Sequence, residues 1–263
     1  MNDSTISCLP KMVDIWEETL NWKPSAQQQI QFQRLYELII EGNRQLNLTR
    51  ITEPEDFWEK HLWDSLRGIK FLISQEIETK DGKEEIDNKK NQKNNNNKII
   101  DLGTGAGFPG IPAGIAVNNC TINLVDSTNK KINFIDSILP KLNLNNVRAT
   151  TCRAEEIGRD SKHRETYDIA FIRAVASASA CAEYALPLLK KGGLAVIYRG
   201  SWTEEENINM ENAVQKLGAI IESIEQFNTP LSKGDRHCLY LRKVNTTPPK
   251  FPRPVGVPAR NPL

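Results

Sequence analysis

Residues 98–110 carry the strongest fold signal in the chain and read Lys98-Ile99-Ile100-Asp101-Leu102-Gly103-Thr104-Gly105-Ala106-Gly107-Phe108-Pro109-Gly110. A short apolar run ends at an aspartate and gives way to a loop in which every second residue is glycine. The apolar residues that follow, 111–117, are typical of a helix. Strand, glycine loop and helix together predict the start of a nucleotide-binding βαβ unit, because glycine lets a ligand lie directly on the backbone.

Two classes of cofactor use such a loop. Gly105, Gly107 and Gly110 match the dinucleotide pattern G-x-G-x-x-G, in which the helix N-terminus faces an anionic pyrophosphate. Asp101, however, precedes the first glycine by two residues, and a carboxylate there would repel a pyrophosphate. It suits a cofactor with a cationic end, such as the ammonium group of S-adenosylmethionine. The order Asp-x-Gly-x-Gly-x-Gly resembles the first motif of Rossmann-like methyltransferases, so Asp101, Gly103 and Gly105 are candidate cofactor contacts.

A second acidic residue follows the next predicted strand. Residues 121–126 form a short apolar run that ends in Asp126, about 25 residues after Asp101. A carboxylate at that position can accept hydrogen bonds from ribose hydroxyls. Ser127 and Thr128 can cap the following helix or contact the cofactor. The alternative is that Asp126 only caps that helix.

The remaining pattern alternates strands with helices, which predicts an α/β fold with a doubly wound, mostly parallel sheet of the Rossmann-like class I methyltransferase type. The last two strands match the antiparallel closing strand of such sheets. The predicted strands after residue 126 are 147–152, 167–172, 194–198, 220–227 and 236–244.

Ligands of such sheets bind at the carboxyl ends of the strands. Asp101, Asp126, Ala154, Glu155 and Arg173 all lie at predicted strand ends, so we expect them to converge on one site. Arg173 is expected to hold the substrate or a phosphate near the reacting atoms, or to contact the cofactor. The alternative is that Arg173 pairs with a buried acid.

Composition limits the other function classes. A chain of 263 residues with a formal net charge of +1 is no polycation, so a nucleic-acid surface must be a local patch. The five cysteines are scattered without a C-x-x-C pair, which argues against a metal site or a disulfide framework. No signal peptide and no run of membrane-spanning length is visible. We therefore expect a cytoplasmic monomer without a metal.

Four regions follow from these patterns. Residues 1–74 form an N-terminal helical extension, and one helix within it, over 27–42, carries Ile30, Leu35, Leu38 and Ile39 on one face. Residues 75–97 are rich in Glu, Lys and Asn and predict a disordered, dispensable insertion. Residues 98–246 form the cofactor-binding domain, and residues 247–263 form a basic tail rich in proline and arginine.

One feature of the N-terminal extension and one of the C-terminal tail have alternative interpretations. His61 and Asp64 share a helix face, and a structural pair is favoured over substrate contact. The tail has no acid, so Arg253 and Arg260 can follow an RNA phosphate backbone, or the tail can pack back on the domain.

The chain resembles the bacterial 16S rRNA guanine-N7 methyltransferase G family, also called glucose-inhibited division protein B. The resemblance spans nearly the whole chain outside the asparagine-rich insertion. Its motifs are Asn47-Leu48-Thr49, His61-Leu62-Trp63-Asp64-Ser65-Leu66, Asp101 to Pro112, Leu124-Val125-Asp126-Ser127, Arg153-Ala154-Glu155-Glu156, Arg173-Ala174-Val175-Ala176-Ser177, Asp235-Arg236-His237 and Pro254 to Leu263.

The resemblance implies S-adenosylmethionine as methyl donor and guanine 527 in the decoding-region loop of 16S rRNA, free or in the small ribosomal subunit, as acceptor. Another RNA or a small molecule is the alternative substrate. Arg199 departs from the family, which usually has lysine there, and it is a third candidate RNA contact. Carried over by motif, the cofactor contacts are Gly103, Phe108, Asp126, Ser127, Thr128, Ala154, Glu155 and Arg173.

Overall fold

A seven-stranded sheet forms the centre of the computed structural model, which describes residues 7–81 and 96–263. The strand order is β3-β2-β1-β4-β5-β7-β6; β1 to β5 run parallel, and β7 lies antiparallel between β5 and β6. This arrangement confirms the predicted fold class. The strands are β1 Asn97–Leu102, β2 Cys120–Asp126, β3 Val147–Thr151, β4 Tyr167–Arg173, β5 Leu189–Arg199, β6 Ala219–Asn228 and β7 Asp235–Lys243.

Helices surround the sheet and alternate with its first five strands, as a doubly wound fold requires. No helix among the described residues is long and apolar enough to cross a membrane. The helices are α1 Val13–Leu20, α2 Ala26–Asn43, α3 Pro54–Phe57, α4 Asp64–Arg67, α5 Lys70–Asp81, α6 Gly110–Ala116, α7 Asn129–Ile138, α8 Ala154–Arg159, α9 Ala178–Ala185, α10 Glu204–Leu217 and α11 Val257–Arg260.

The N-terminal extension packs on the sheet through an aromatic-rich core. A capping box at Ser25 and Gln28 begins α2, whose Leu35, Leu38 and Ile39 are buried. Ile30 was predicted on the same face but is 63% exposed, because at 3.6 residues per turn it points well away from the centre of the stripe formed by Leu35, Leu38 and Ile39.

A π-helical turn, Trp58–Trp63, joins α3 to α4. Its wider winding places Trp58, Leu62 and Trp63 in the core while His61 and Asp64 lie beside the strand ends. The extension is therefore part of the wall of the site described below.

The secondary structure differs from the sequence prediction in three places. Strand β5 begins at Leu189 rather than at residue 194, because α9 already ends at Ala185 before Pro187. Helix α10 was not predicted, although Thr203 and Glu206 form a capping box at its start. Helix α5 continues over residues 75–81, which the sequence assigned to the insertion. Residues 82–95 of that insertion lie outside the described residues.

Candidate cofactor and substrate site

The glycine loop between β1 and α6 is held against β2 by its backbone. The Gly103 and Thr104 amides both donate to the Val125 carbonyl, at 2.8 and 3.0 Å. Gly105 has a φ of +62°. Apart from atoms of Gly105 and its two chain neighbours, the nearest described atom to the position of a Cβ there is the Gly103 carbonyl oxygen, 4.0 Å away. The loop is thus rigid and leaves room above Gly105 for a ligand to lie on the backbone.

Asp101 lies beneath this loop with its side chain fully buried. Its Oδ2 accepts from the Thr104 hydroxyl at 2.7 Å and from the Gly110 amide at 2.9 Å. Burial raises the pKa of Asp101 to about 6. Its Oδ1 has no hydrogen-bond partner among the described residues, and a buried acceptor in that state calls for a donor.

Asp126 joins the glycine loop to the end of β2. Its Oδ2 accepts from the Gly105 amide at 3.0 Å, and its Oδ1 accepts from the Thr128 amide at 2.8 Å. Each carboxylate oxygen can accept a second hydrogen bond, so the carboxylate keeps capacity for ribose hydroxyls. Thr128 is the N-cap of α7, and Ser127 and Thr128 are exposed beside Asp126. Asp126 therefore does more than end a strand, because it also fixes the loop that faces the ligand.

Arg173 extends from the end of β4 into a cluster that the N-terminal extension completes. Its Nη1 donates to the Lys60 carbonyl at 3.1 Å and to Asp64 Oδ2 at 3.2 Å, and its Nη2 lies 3.4 Å from His61 Nδ1. Its guanidinium carbon lies 5.8 Å from the centroid of the Phe108 ring. Because the described residues engage three of the five guanidinium N–H donors, the group is oriented and retains donors for a ligand.

His61 and Asp64 both contact Arg173 rather than each other. Burial, with Arg173 adding to it, lowers the pKa of His61 to about 3, so the ring is neutral. A neutral ring that accepts from Arg173 at Nδ1 carries its proton on Nε2, which donates to the Thr49 hydroxyl at 2.8 Å. The ring also stacks on Phe108, with centroids 4.3 Å apart. This network supports the structural interpretation of His61.

Asp64 lies between two arginines, only one of which was a predicted site residue. Arg236 Nε is 3.7 Å from Asp64 Oδ1, and Arg236 remains partly exposed. Burial raises the pKa of Asp64 although both arginines act against the shift. The Asp235-Arg236-His237 motif carries no local sign of this contact, since the proximity of Arg236 to Asp64 depends on how β7 inserts into the sheet.

A family model described as rRNA small subunit methyltransferase G matches residues 28–81 and 83–239. The match takes in the glycine loop, Asp126 and the Arg173 cluster. The chain belongs to the rRNA small subunit methyltransferase G family. This membership confirms the family resemblance inferred from the motifs.

Individual relatives agree with the family match. Two proteins named ribosomal RNA small subunit methyltransferase G are similar over most of their length. The one from Nostoc punctiforme is 60% identical over 97% of this chain and 98% of its own, and the one from Trichodesmium erythraeum is 55% identical over 100% and 98%. A solved rRNA methylase from Streptococcus thermophilus is 14% identical, with a TM-score of 0.43, over 57% of this chain and 89% of its own.

The loop that carries the predicted cofactor contacts Ala154 and Glu155 begins next to Asp126. The Cys152 amide donates to the Asp126 carbonyl at 3.1 Å, and α8 begins two residues later at Ala154. The carboxylate of Glu155 is directed elsewhere, because its Oε1 accepts from the Gly256 amide at 2.8 Å. Any contribution of the Arg153-Ala154-Glu155-Glu156 motif to the cofactor site therefore comes from the backbone and Ala154. The Glu155 side chain instead anchors the tail.

The three predicted RNA contacts have different environments. Arg199 donates to Glu206 Oε1 at 2.6 Å, and Arg260 is exposed and donates to the Gly256 carbonyl. Arg253 departs from the expectation that it faces RNA, because it donates to both oxygens of Glu183, which is fully buried. A buried carboxylate requires such a paired cation. Within the described residues, no group of three or more His, Cys, Asp or Glu side chains is arranged to hold a metal ion.

The neutral state of His61 predicts a pH dependence of stability. The unfolded ring has a pKa near 6.5 and binds a proton that the folded ring, with a pKa of about 3, does not bind. The free energy of unfolding should therefore fall as the pH drops below 6.5, with a contribution of at most about 1.4 kcal/mol per pH unit. Asp101 and Asp64 have raised pKa values and act in the opposite direction.

Urea unfolding between pH 7 and 5 measures this dependence. The free energy of unfolding should fall less with decreasing pH in His61→Asn than in the wild type. Equal pH dependence of the two proteins would show that the ring is protonated when folded.

Proposed function

We propose that this protein transfers the methyl group of S-adenosylmethionine to N7 of a guanine in small-subunit ribosomal RNA, in the cytoplasm. Family membership supports methylation of this RNA. The observation that carries the choice of cofactor is the convergence at one sheet edge of an open glycine backbone, a carboxylate with free acceptor capacity and an oriented arginine. Those groups are Gly105, Asp126 and Arg173.

The donor set fits S-adenosylmethionine group by group. Asp126 would accept the ribose hydroxyls, because its carboxylate is fixed by two backbone amides and keeps lone pairs. The unpaired Asp101 Oδ1 suits a cationic or hydrogen-bond-donating group, which a pyrophosphate lacks. Ala154 and its neighbours would line the adenine. Arg173 would orient the acceptor base or the carboxylate of the methionine end.

The chemistry requires alignment more than proton transfer. S-adenosylmethionine supplies an electrophilic methyl group on a sulfonium sulfur. Guanine N7 carries a lone pair and no proton, so it needs no general base. This agrees with a site in which His61 is buried, neutral and hydrogen-bonded to Thr49 and Arg173. The residues of the site act by holding the reactants in line.

Exposed cations near the site support RNA binding. Arg236 lies beside Asp64 with its side chain partly exposed, and Arg260 is exposed in the tail. We infer that both contact phosphates, which position the RNA without reading its sequence. Arg199 remains a candidate RNA contact, but unlike Arg260 it already forms an ion pair, with Glu206.

The cofactor choice predicts a simple binding result. The protein should bind S-adenosylhomocysteine, which keeps the ribose and the ammonium group. It should not bind NAD, whose pyrophosphate would lie on the glycine loop next to the carboxylates of Asp101 and Asp126 and be repelled by them. Isothermal calorimetry with each ligand measures this directly. Heat of binding from NAD together with none from S-adenosylhomocysteine would overturn the assignment.

The substrate is tested by mapping N7-methylguanosine in 16S rRNA from cells with and without the gene. We expect one methylated guanine to lose its mark when the gene is removed and to regain it when the gene is restored. A complementing gene that encodes Arg173→Ala serves as the matched control, because it supplies the protein with impaired methyl transfer. An unchanged methylation map would contradict the proposed substrate.

A further inference from the structure

The C-terminal segment is bound tightly to the cofactor-binding domain. We call residues 247–256 the strap. Arg164 donates to the carbonyls of Thr247 and Phe251, each at 2.7 Å, and Arg159 Nε donates to the carbonyl of Pro252 at 2.8 Å. The Phe251 side chain is buried in the core against α9 and β5. The strap is therefore a packed part of the domain, and these contacts fix its course across the domain.

The strap is anchored by a buried ion pair on α9. Glu183 has no exposed surface, and both of its carboxylate oxygens accept from Arg253. The backbone amide of Arg253 donates to Oε1 at 2.7 Å, Nε lies 3.0 Å from each oxygen, and Nη2 donates to Oε2 at 2.7 Å. A bidentate pair of this kind is strong and fixes direction as well as distance. Arg253 thus holds the strap at one defined point.

A second anchor joins the strap to the strand edge that carries the site. The Gly256 amide donates to Glu155 Oε1 at 2.8 Å, and Glu155 is buried in the first turn of α8. That turn follows Cys152, whose amide donates to the Asp126 carbonyl. A short series of contacts therefore connects Arg253 to Asp126, through the segment that would line the adenine.

We propose that the strap holds the turn from Cys152 to Glu155 in place for the adenosyl group, and that Arg253 and Glu183 are positioning residues for the cofactor. This inference rests on the proposed use of S-adenosylmethionine. Without the ion pair, Gly256 leaves Glu155, and the turn from Cys152 to Glu155 loses the partner that fixes it. A ligand then has to order this segment on binding, which lowers its affinity. The basic character of the tail at Arg253 thus serves an internal carboxylate rather than RNA.

The test compares Arg253→Ala and Arg253→Lys with the matched control Lys250→Ala. Lys250 is an exposed cation of the same strap, with Nζ 5.2 Å from the centroid of the Phe251 ring. Calorimetry should show that Arg253→Ala weakens binding of S-adenosylhomocysteine by roughly ten- to hundredfold. Arg253→Lys should weaken it less, because lysine keeps the charge without the planar fork. Lys250→Ala should bind like the wild type.

Two further binding measurements separate cofactor positioning by the strap from a general loosening of the domain. The loss in Arg253→Ala should be equally large for 5′-methylthioadenosine, which has the adenosyl group and lacks the amino-acid end, while the affinity for RNA at low salt stays unchanged. Circular dichroism at the binding temperature confirms that each variant is folded, and Glu183→Gln gives an independent break of the same pair. Wild-type binding by a folded Arg253→Ala or Glu183→Gln overturns the role of the strap alone. A wild-type protein that binds no S-adenosylhomocysteine overturns the proposed cofactor as well.

Discussion

Replacing Arg173 by alanine is expected to lower the single-turnover rate of methylation by roughly 100-fold at saturating RNA and cofactor. The guanidinium is held by the Lys60 carbonyl and Asp64, so its remaining donors point in a defined direction at the end of β4. Loss of a group that aligns the acceptor base raises the barrier of the methyl-transfer step itself. Rapid-quench measurement of methylated RNA gives the rate without contribution from product release.

The matched control for Arg173 is Arg67→Ala. Arg67 also pairs with a carboxylate, Glu225 at 2.8 Å, and its guanidinium carbon lies 4.4 Å from the Phe227 ring centroid. It therefore reproduces the environment of Arg173 at a place on α4 and β6 that the site does not use. We expect Arg67→Ala to methylate at the wild-type rate. Equal losses in both variants would mean that a loosened N-terminal extension, and not alignment by Arg173, limits the reaction.

The strand ends of the site were predictable because their signals are local. Asp101 and the glycines follow an apolar run directly, and Asp126 follows the next one, so the known geometry of parallel sheets brings them to one edge. The same reasoning gave the order of the elements from β1 to β5. These inferences need only the periodicity of neighbouring residues and the rule that ligands bind at the carboxyl ends of parallel strands.

The partners of the charged residues were not predictable, since they lie far apart in sequence. Arg253 is 70 residues from Glu183, and Arg173 is 109 residues from Asp64. A basic residue in a proline-rich tail has the same sequence signal whether it meets a phosphate or a buried carboxylate. Only the packing of the strap on α9 separates the two. The start of α10 is a different case, because the Thr203 and Glu206 capping box was present in the sequence and was overlooked.

The Arg173 cluster shows how local helix geometry contributes to the site. A π-helical turn over Trp58–Trp63 lies between two short helices, and it turns His61 and Asp64 to the end of β4. The shared helix face of His61 and Asp64 was predictable, but the change of winding has no simple sequence signal. The extension is therefore a wall of the site as well as a packing element.

Replacing Asp126 by alanine is expected to weaken binding of S-adenosylhomocysteine by about 1–3 kcal/mol, or about 5- to 150-fold. The variant removes the proposed acceptor for ribose hydroxyls, and it also leaves the Gly105 and Thr128 amides without their partner. Both effects act on the cofactor side of the site. The affinity for RNA, measured for the variant and the wild type at the same salt concentration, should change little. Calorimetry with S-adenosylhomocysteine is therefore the measurement that reports the loss.

Asp168→Ala is the matched control for Asp126, because it removes a carboxylate from the opposite edge of the same sheet. Asp168 accepts from the Lys98 amide at 2.9 Å and from Lys190 Nζ at 2.7 Å, so it too fixes a strand end through a backbone amide. Its loss should lower stability without changing the affinity for S-adenosylhomocysteine. Asp126→Asn should lie between the wild type and Asp126→Ala, since the amide keeps one acceptor oxygen but no charge. Unchanged affinity in Asp126→Ala would remove this carboxylate from the cofactor site and leave it as a clamp between the glycine loop and α7.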